Sequence, residues 1–172
     1  MQPTCLDRPW TAIVVDGKSE ERIGEAFGVL GTTPAARPTV VTKIGMTEMV
    51  DPDLCPDAAT AMSMVEASIA TSQTRLQAEQ LDVVLLHNFA GYSKLHSGAP
   101  WKRLVQARDV DHSVRRVGVS CYSPDEAMEA LRDPDMQHIQ LPVSCTTFMC
   151  RPIVSAAPNT SLVLSLAVQH AR

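Results

Sequence analysis

Residues 75–87 read Arg75-Leu76-Gln77-Ala78-Glu79-Gln80-Leu81-Asp82-Val83-Val84-Leu85-Leu86-His87, and residues 114–120 read Val114-Arg115-Arg116-Val117-Gly118-Val119-Ser120. Both end in a short apolar run, Leu81 to Leu86 and Val117 to Val119, closed by one polar residue. Runs of this length and composition suit strands buried on both faces, as in parallel sheets. Between the two runs, a loop with Gly91, Gly98 and Pro100 leads into a helix over Trp101 to Ala107.

Upstream, Pro56-Asp57 opens a helix whose stripe of Ala58, Ala61, Met62, Val65, Ile69, Ser72 and Leu76 keeps to one face. Before it, the β-branched run Thr39-Val40-Val41-Thr42 is a strand closed by Lys43. Earlier still, Ile23, Ala26, Phe27 and Leu30 fall at i, i+3, i+4 and i+7 on a helix opening near Ser19, and Gly31 can supply its left-handed end. Downstream, Ser123-Pro124-Asp125-Glu126 reads as a capping box with proline at the first helical position, followed by a helix through Leu131 and a fourth strand from His138 to Leu141. Strands alternating with helices of these lengths predict an α/β fold with right-handed crossovers. The ends are different. Residues 1–12 have no clear period, and in the tail from Cys145 to Arg172 the stretch Leu162 to Val168 suits a short helix or a strand equally well.

The chain has 172 residues, 45% hydrophobic and 20% charged, which is ordinary material for a single globular domain. Its net charge is −4 and its 15 Lys and Arg are scattered, which argues against a nucleic-acid partner. The 5 cysteines are odd in number and have no C-x-x-C spacing, so neither a disulfide framework nor a metal site is expected. Met1 to Pro9 lacks the pattern of a leader, and no run reaches the ~18 apolar residues of a membrane span. A cytoplasmic location without membrane contact is the expectation.

Lys43, His87, Ser120 and Gln140 each lie at or near the C-terminal side of an apolar strand. In a parallel sheet all four gather on one rim, and that rim carries the active site in barrels and open α/β sheets alike. Taken singly, Lys43 is equally well read as snorkelling to solvent and His87 as capping a backbone group. Tyr92 and Tyr122 follow the second and third strands, where loop aromatics are common.

The stretch Arg75 to His87 resembles, without a gap, the R-L-x-x-x-x-x-D-apolar-run-H pattern of the aldo-keto reductase superfamily. Val114 to Ser120 is similar to that family's V-R-x-I-G-V-S-N segment, His138-Ile139-Gln140-Leu141-Pro142 to its sixth strand, and Gly17 to Ala26 to the start of its second helix. The resemblance implies an incomplete (β/α)8 TIM barrel, running from roughly the second helix through the sixth strand. It places a partial barrel domain over 1–144 and a tail of unassigned structure over 145–172. Four strands in such a piece leave two open edges, so the chain either pairs with another copy of itself, recruits its tail as a makeshift strand, or is unstable.

The family reduces carbonyls with NADPH, using a tyrosine as proton donor, lysine and aspartate to shift its acidity, and histidine to orient the carbonyl. Lys43 and His87 match the lysine and the histidine. The aspartate and tyrosine belong to a D-T-A-x-x-Y pattern, where this chain reads Trp10-Thr11-Ala12-Ile13-Val14-Val15, so Trp10 and Val15 stand in their places. In the family a Ser-Asn pair and a glutamine hold the nicotinamide amide; Ser120 and Gln140 match, but Cys121 replaces the asparagine, and a thiol is a weaker partner. Residues after Leu141 do not resemble the strands whose loops grip the adenosine phosphate. The implied function is an NADP-dependent oxidoreductase domain with weak NADP(H) binding, weak or absent turnover and a small-molecule carbonyl substrate. The alternative is a catalytically silent barrel-like regulatory or interaction module.

Overall fold

The computed structural model describes residues 11–13, 17–31, 37–142 and 163–167. Six parallel strands form one sheet in chain order: β1 (Thr11–Ile13), β2 (Thr39–Ile44), β3 (Leu81–Leu86), β4 (Val114–Ser120), β5 (His138–Pro142) and β6 (Val163–Ala167). The helices between them are α1 (Gly17–Leu30), α2 (Ala58–Leu76), the short α3 (Phe89–Ser93), α4 (Ala99–Asp109) and α5 (Pro124–Ala130). This is the run of strand and helix expected of an incomplete (β/α)8 barrel. β1 and β6 are not paired to each other, so among the described residues the sheet stays open.

The four strands read from the sequence are β2 to β5, and the structure adds one at each flank. β1 begins within the stretch that had no period. β6 settles the ambiguous apolar stretch of the tail as a strand, hydrogen-bonded alongside β5 from His138↔Val163 to Pro142↔Ala167. β1 is too short to declare itself by periodicity and the apolar stretch of β6 fits either period; each is a strand because a neighbouring strand offers it a ladder of backbone partners.

The central helix follows its sequence closely. Asp57 caps α2 by accepting from the Thr60 N–H at 2.8 Å, and Gln77 ends it in the left-handed conformation at φ 51°. Ala61, Val65, Ile69, Ser72 and Leu76 are buried while Ala58 is exposed, so the stripe starts one turn later than its sequence suggests. This face lies in one core with alternate residues of the strands, among them Ile44, Val84, Leu86, Val117 and Ile139. At α5 the capping box is complete: Ser123 Oγ accepts from the Glu126 N–H, and the Glu126 carboxylate accepts in return from the backbone of Ser123 and Tyr122.

The first helix departs from its sequence pattern. Ile23 and Phe27 pack on the core, but Leu30 is 70% exposed and Ala26 also faces solvent. α1 crosses α2 at Gly24, where an added Cβ would collide with the carbonyl oxygen of Arg75. That close approach rotates Glu20 inward, to 4% exposure, where its carboxylate accepts from Thr42 Oγ1 at 2.5 Å, Ser72 Oγ at 2.7 Å and Arg75 Nη1 at 3.4 Å. The quoted motif residues Arg75 and Asp82 are therefore structural here: Asp82 accepts from the Val40 N–H at 3.0 Å and pairs with Arg37.

Candidate active site

Alternation along the strands assigns side chains to faces. Val41, Val83 and Leu85 form a small apolar cluster of their own on the face away from the helices. Lys43 lies two residues beyond Val41, and His87 two beyond Leu85, so both belong to this inner face at its C-terminal end. The register extends the face across the sheet: Lys43 stands opposite Leu85, Leu85 opposite Gly118, and Gly118 opposite His138. One row higher, Ser120 stands opposite Gln140, with His87 in the same row. Lys43, His87, Ser120 and Gln140 thus share one rim, as expected. Gly118 is required in that arrangement, because an added Cβ would run into the His138 carbonyl.

The four differ in environment. Lys43 and His87 are half-buried. Burial pushes the Lys43 ammonium below its ordinary pKa, and burial followed by the charge of Lys43 does the same to the His87 imidazole. His87 is also held by its backbone N–H, which donates to the Ile44 carbonyl at 3.1 Å. Ser120 is buried at the end of β4, and Gln140 is only 1% exposed, with no partner for either its amide nitrogen or its amide oxygen. A buried amide that is unsatisfied at both ends is rare and calls for an explanation.

Cys121 points elsewhere. It is fully buried in the outer core with α5, its N–H donates to the Gln140 carbonyl at 2.9 Å, and burial together with the charge of Glu126 pushes its thiol up to about 12. Its thiol is on the helical side of the sheet, away from the face that carries Gln140. Of the two tyrosines, Tyr92 also belongs to the helical side: its hydroxyl donates to Asp133 at 3.0 Å and its ring packs edge-on against Trp101. Tyr122 is at the rim, its hydroxyl donating to the His87 carbonyl at 3.4 Å.

Trp10 and Val15 lie outside the described residues. Their neighbours Thr11 and Ala12 pair with Thr39 and Val40, which open β2 at the end of the sheet away from Lys43. His138 and Arg116 are inner-face residues that sequence reading did not single out. Counting back by twos from Gln140 and Ser120 would have found them. Burial, then the charge of Arg116, lowers the His138 pKa to about 4. Among the described residues no cluster of side chains is arranged to hold a metal ion, and no helix is long and apolar enough to cross a membrane.

A family model described as the aldo/keto reductase family matches residues 11–160. Among solved structures, the aldose reductase from Giardia lamblia is 16% identical with a TM-score of 0.63, over 90% of this chain and 54% of its own. The aldose reductase from Schistosoma japonicum is 16% identical with a TM-score of 0.61, over 91% of this chain and 55% of its own. The glycerol dehydrogenase from Gluconobacter oxydans is 21% identical with a TM-score of 0.59, over 87% of this chain and 45% of its own. At these identities the likeness is one of fold, and this chain spans about half the length of the structures it matches. No curated protein matches it.

Proposed function

The chain belongs to the aldo/keto reductase family, and from that premise we propose that it is an NADP(H)-linked oxidoreductase domain for small carbonyl compounds with weak turnover. The observation that carries the reading is the inner rim, where Lys43, His87, Ser120 and Gln140 converge and the Gln140 amide is buried with both ends unpartnered. A nicotinamide carboxamide offers one donor group and one acceptor, which is the complement of that orphaned amide. Gln140 and Ser120 would hold the nicotinamide ring, and the cofactor when bound supplies a hydride to the carbonyl carbon. His87, kept neutral by burial, donates a hydrogen bond that orients the carbonyl oxygen. Lys43 supplies positive charge beside it.

The weak turnover follows from what is missing around these residues. Val15 has no proton to give where the family has tyrosine, and general acid assistance is worth roughly 10²–10⁴-fold. Cys121 faces the helices and leaves Gln140 without the second amide that the family places beside it.

NADPH titration of the purified chain, followed by nicotinamide fluorescence, tests the reading. Binding should saturate and should weaken about tenfold in Gln140→Leu, the loss of one well-made buried hydrogen bond. NADPH oxidation with a small aromatic aldehyde should be slow and should fall further in His87→Ala. Absence of any NADPH binding by the folded chain removes the nicotinamide assignment, and turnover at the rate of a complete barrel enzyme removes the proposed weakness.

A further inference from the structure

We infer that the cavity on the helical side of β2 is a binding site for a small primary ammonium, separate from the inner rim. Thr42 alternates with Val41 and Lys43 and so faces the helices, where it lines a cavity of about 480 Å³ with Glu20 of α1 and Ser72 of α2. One wall is a single stripe of α2, in which Met64, Ala67, Ser68, Thr71, Ser72 and Arg75 recur at helical spacing. Glu48 and Met49, in the segment after β2, form the wall opposite. A cavity of this size admits a small organic ligand.

The hydrogen bonds already made there decide what the cavity can recognise. Thr42 Oγ1 and Ser72 Oγ both donate to Glu20 Oε1, at 2.5 and 2.7 Å, and Thr71 Oγ1 donates to the Ala67 carbonyl at 2.8 Å. A hydroxyl has one proton, so what these three have left for a ligand is lone pairs. Glu20 is 4% exposed, and among the described residues its Oε2 meets only Arg75 Nη1, at 3.4 Å, which is long for a charge-assisted hydrogen bond. A buried carboxylate oxygen therefore retains acceptor capacity at the cavity. Glu48 adds a second negative charge, whereas Arg75 is shared between Glu20 and Glu21 and Lys43 carries its side chain on the inner face. An anion or a carbonyl oxygen would meet acceptors here. A primary ammonium brings three donors and a positive charge, and Met49, Met64 and Ala67 offer apolar contact to a short alkyl chain. A bare metal ion suits the cavity less well, because no cluster of His, Cys, Asp and Glu side chains among the described residues is arranged to hold one.

This goes beyond the proposed reductase activity and does not depend on NADPH. Amide hydrogen exchange of the whole chain is followed by mass spectrometry against increasing n-butylammonium chloride. Exchange should slow, saturably, in residues 42–49 and 64–75 and stay unchanged in residues 114–142. n-Butanol at the same concentration and KCl at the same ionic strength should give no such protection. Equal protection by n-butanol, equal protection by KCl, or no protection of the two segments overturns the inference. Glu20→Gln keeps an oxygen to accept from Thr42 and Ser72 but replaces the second carboxylate oxygen by a donor, and calorimetric affinity for n-butylammonium should fall at least about tenfold. Ala67→Phe, at an exposed position on the cavity wall, should abolish amine binding and leave NADPH binding at the inner rim as in wild type. Unchanged amine affinity in either variant, once circular dichroism shows it folded, overturns the assignment to this cavity, and the exchange map of the wild type decides without any variant. Amine binding in a chain that fails to bind NADPH would remove the proposed reductase function and leave this inference standing.

Discussion

On the outer face of the sheet, Ile44, Val84, Leu86, Val119 and Ile139 join α2, α4 and α5 in one continuous apolar core. On the inner face the same strands carry only Val41, Val83 and Leu85 as an apolar cluster, flanked by Lys43, Arg116, His138 and Gln140. Strands that alternate between these two populations divide their work: the outer face contributes most of the stability, and the inner face tolerates desolvated polar groups because the outer core offsets their cost. A buried amide without partners and a histidine kept neutral by burial would be expensive in a piece with no such core.

The largest effect is expected where the outer core is deepest. Ile69→Ala removes a side chain that is 4% exposed between α2 and the sheet, and should cost about 2–5 kcal/mol in urea denaturation. A loss below about 1 kcal/mol would mean that the helical layer is not where the stability resides.

Acidification probes the inner face, and His138 sets the sign. Its pKa falls from 6.5 unfolded to about 4 folded, so between those values the unfolded chain binds the extra proton. Stability from this group is complete above about pH 6.5 and is lost progressively as pH falls toward 4. His87, lowered in the same direction, adds to the trend. The loss attributable to His138 should be on the order of 2–3 kcal/mol. Comparing wild type with His138→Leu at pH 7 and pH 5 isolates it: the pH dependence should shrink in the variant, and an unchanged slope would place His138 in contact with water.

The smallest effect belongs to a residue that a helical-stripe reading puts in the core. Leu30 is 70% exposed at the end of α1, and Leu30→Gln should change stability by no more than about 0.5 kcal/mol. A cost above 1.5 kcal/mol would show that something covers that helix end and that the outer face extends further than the described core.

The two kinds of helix show how far sequence reading reached. For α2, periodicity, the Asp57 cap and the five buried residues from Ala61 to Leu76 agree, because nineteen residues of one helix average out local accidents. For α1 the i, i+3, i+4, i+7 pattern was present but misleading, since the close crossing at Gly24 with Arg75 decides which face turns inward, and no property of α1 alone encodes that neighbour. At the site, the strand-ending positions of Lys43, His87, Ser120 and Gln140 were legible from runs of apolar residues. Cys121 was not, although the same alternation that turned Ser120 inward turned Cys121 outward. His138 was legible as the start of the fourth strand but not as a site-facing residue, because only the register, which sets it opposite Gly118, assigns it to the inner face.

What the sequence determined by itself was therefore whatever depends on short-range periodicity and chain direction. This covers the α/β alternation, the capping box at Ser123, the family motifs and the sharing of one rim by four polar residues. Only the tertiary structure decided what depends on a partner strand or helix. It made strands of Thr11–Ile13 and Val163–Ala167, turned Glu20 into the core, left the Gln140 amide without a partner and separated Tyr122 at the rim from Tyr92 behind the sheet. The physical reason is that a backbone hydrogen-bond ladder, a close helix crossing and a desolvated polar group are each properties of two segments brought together, so neither segment's sequence contains them.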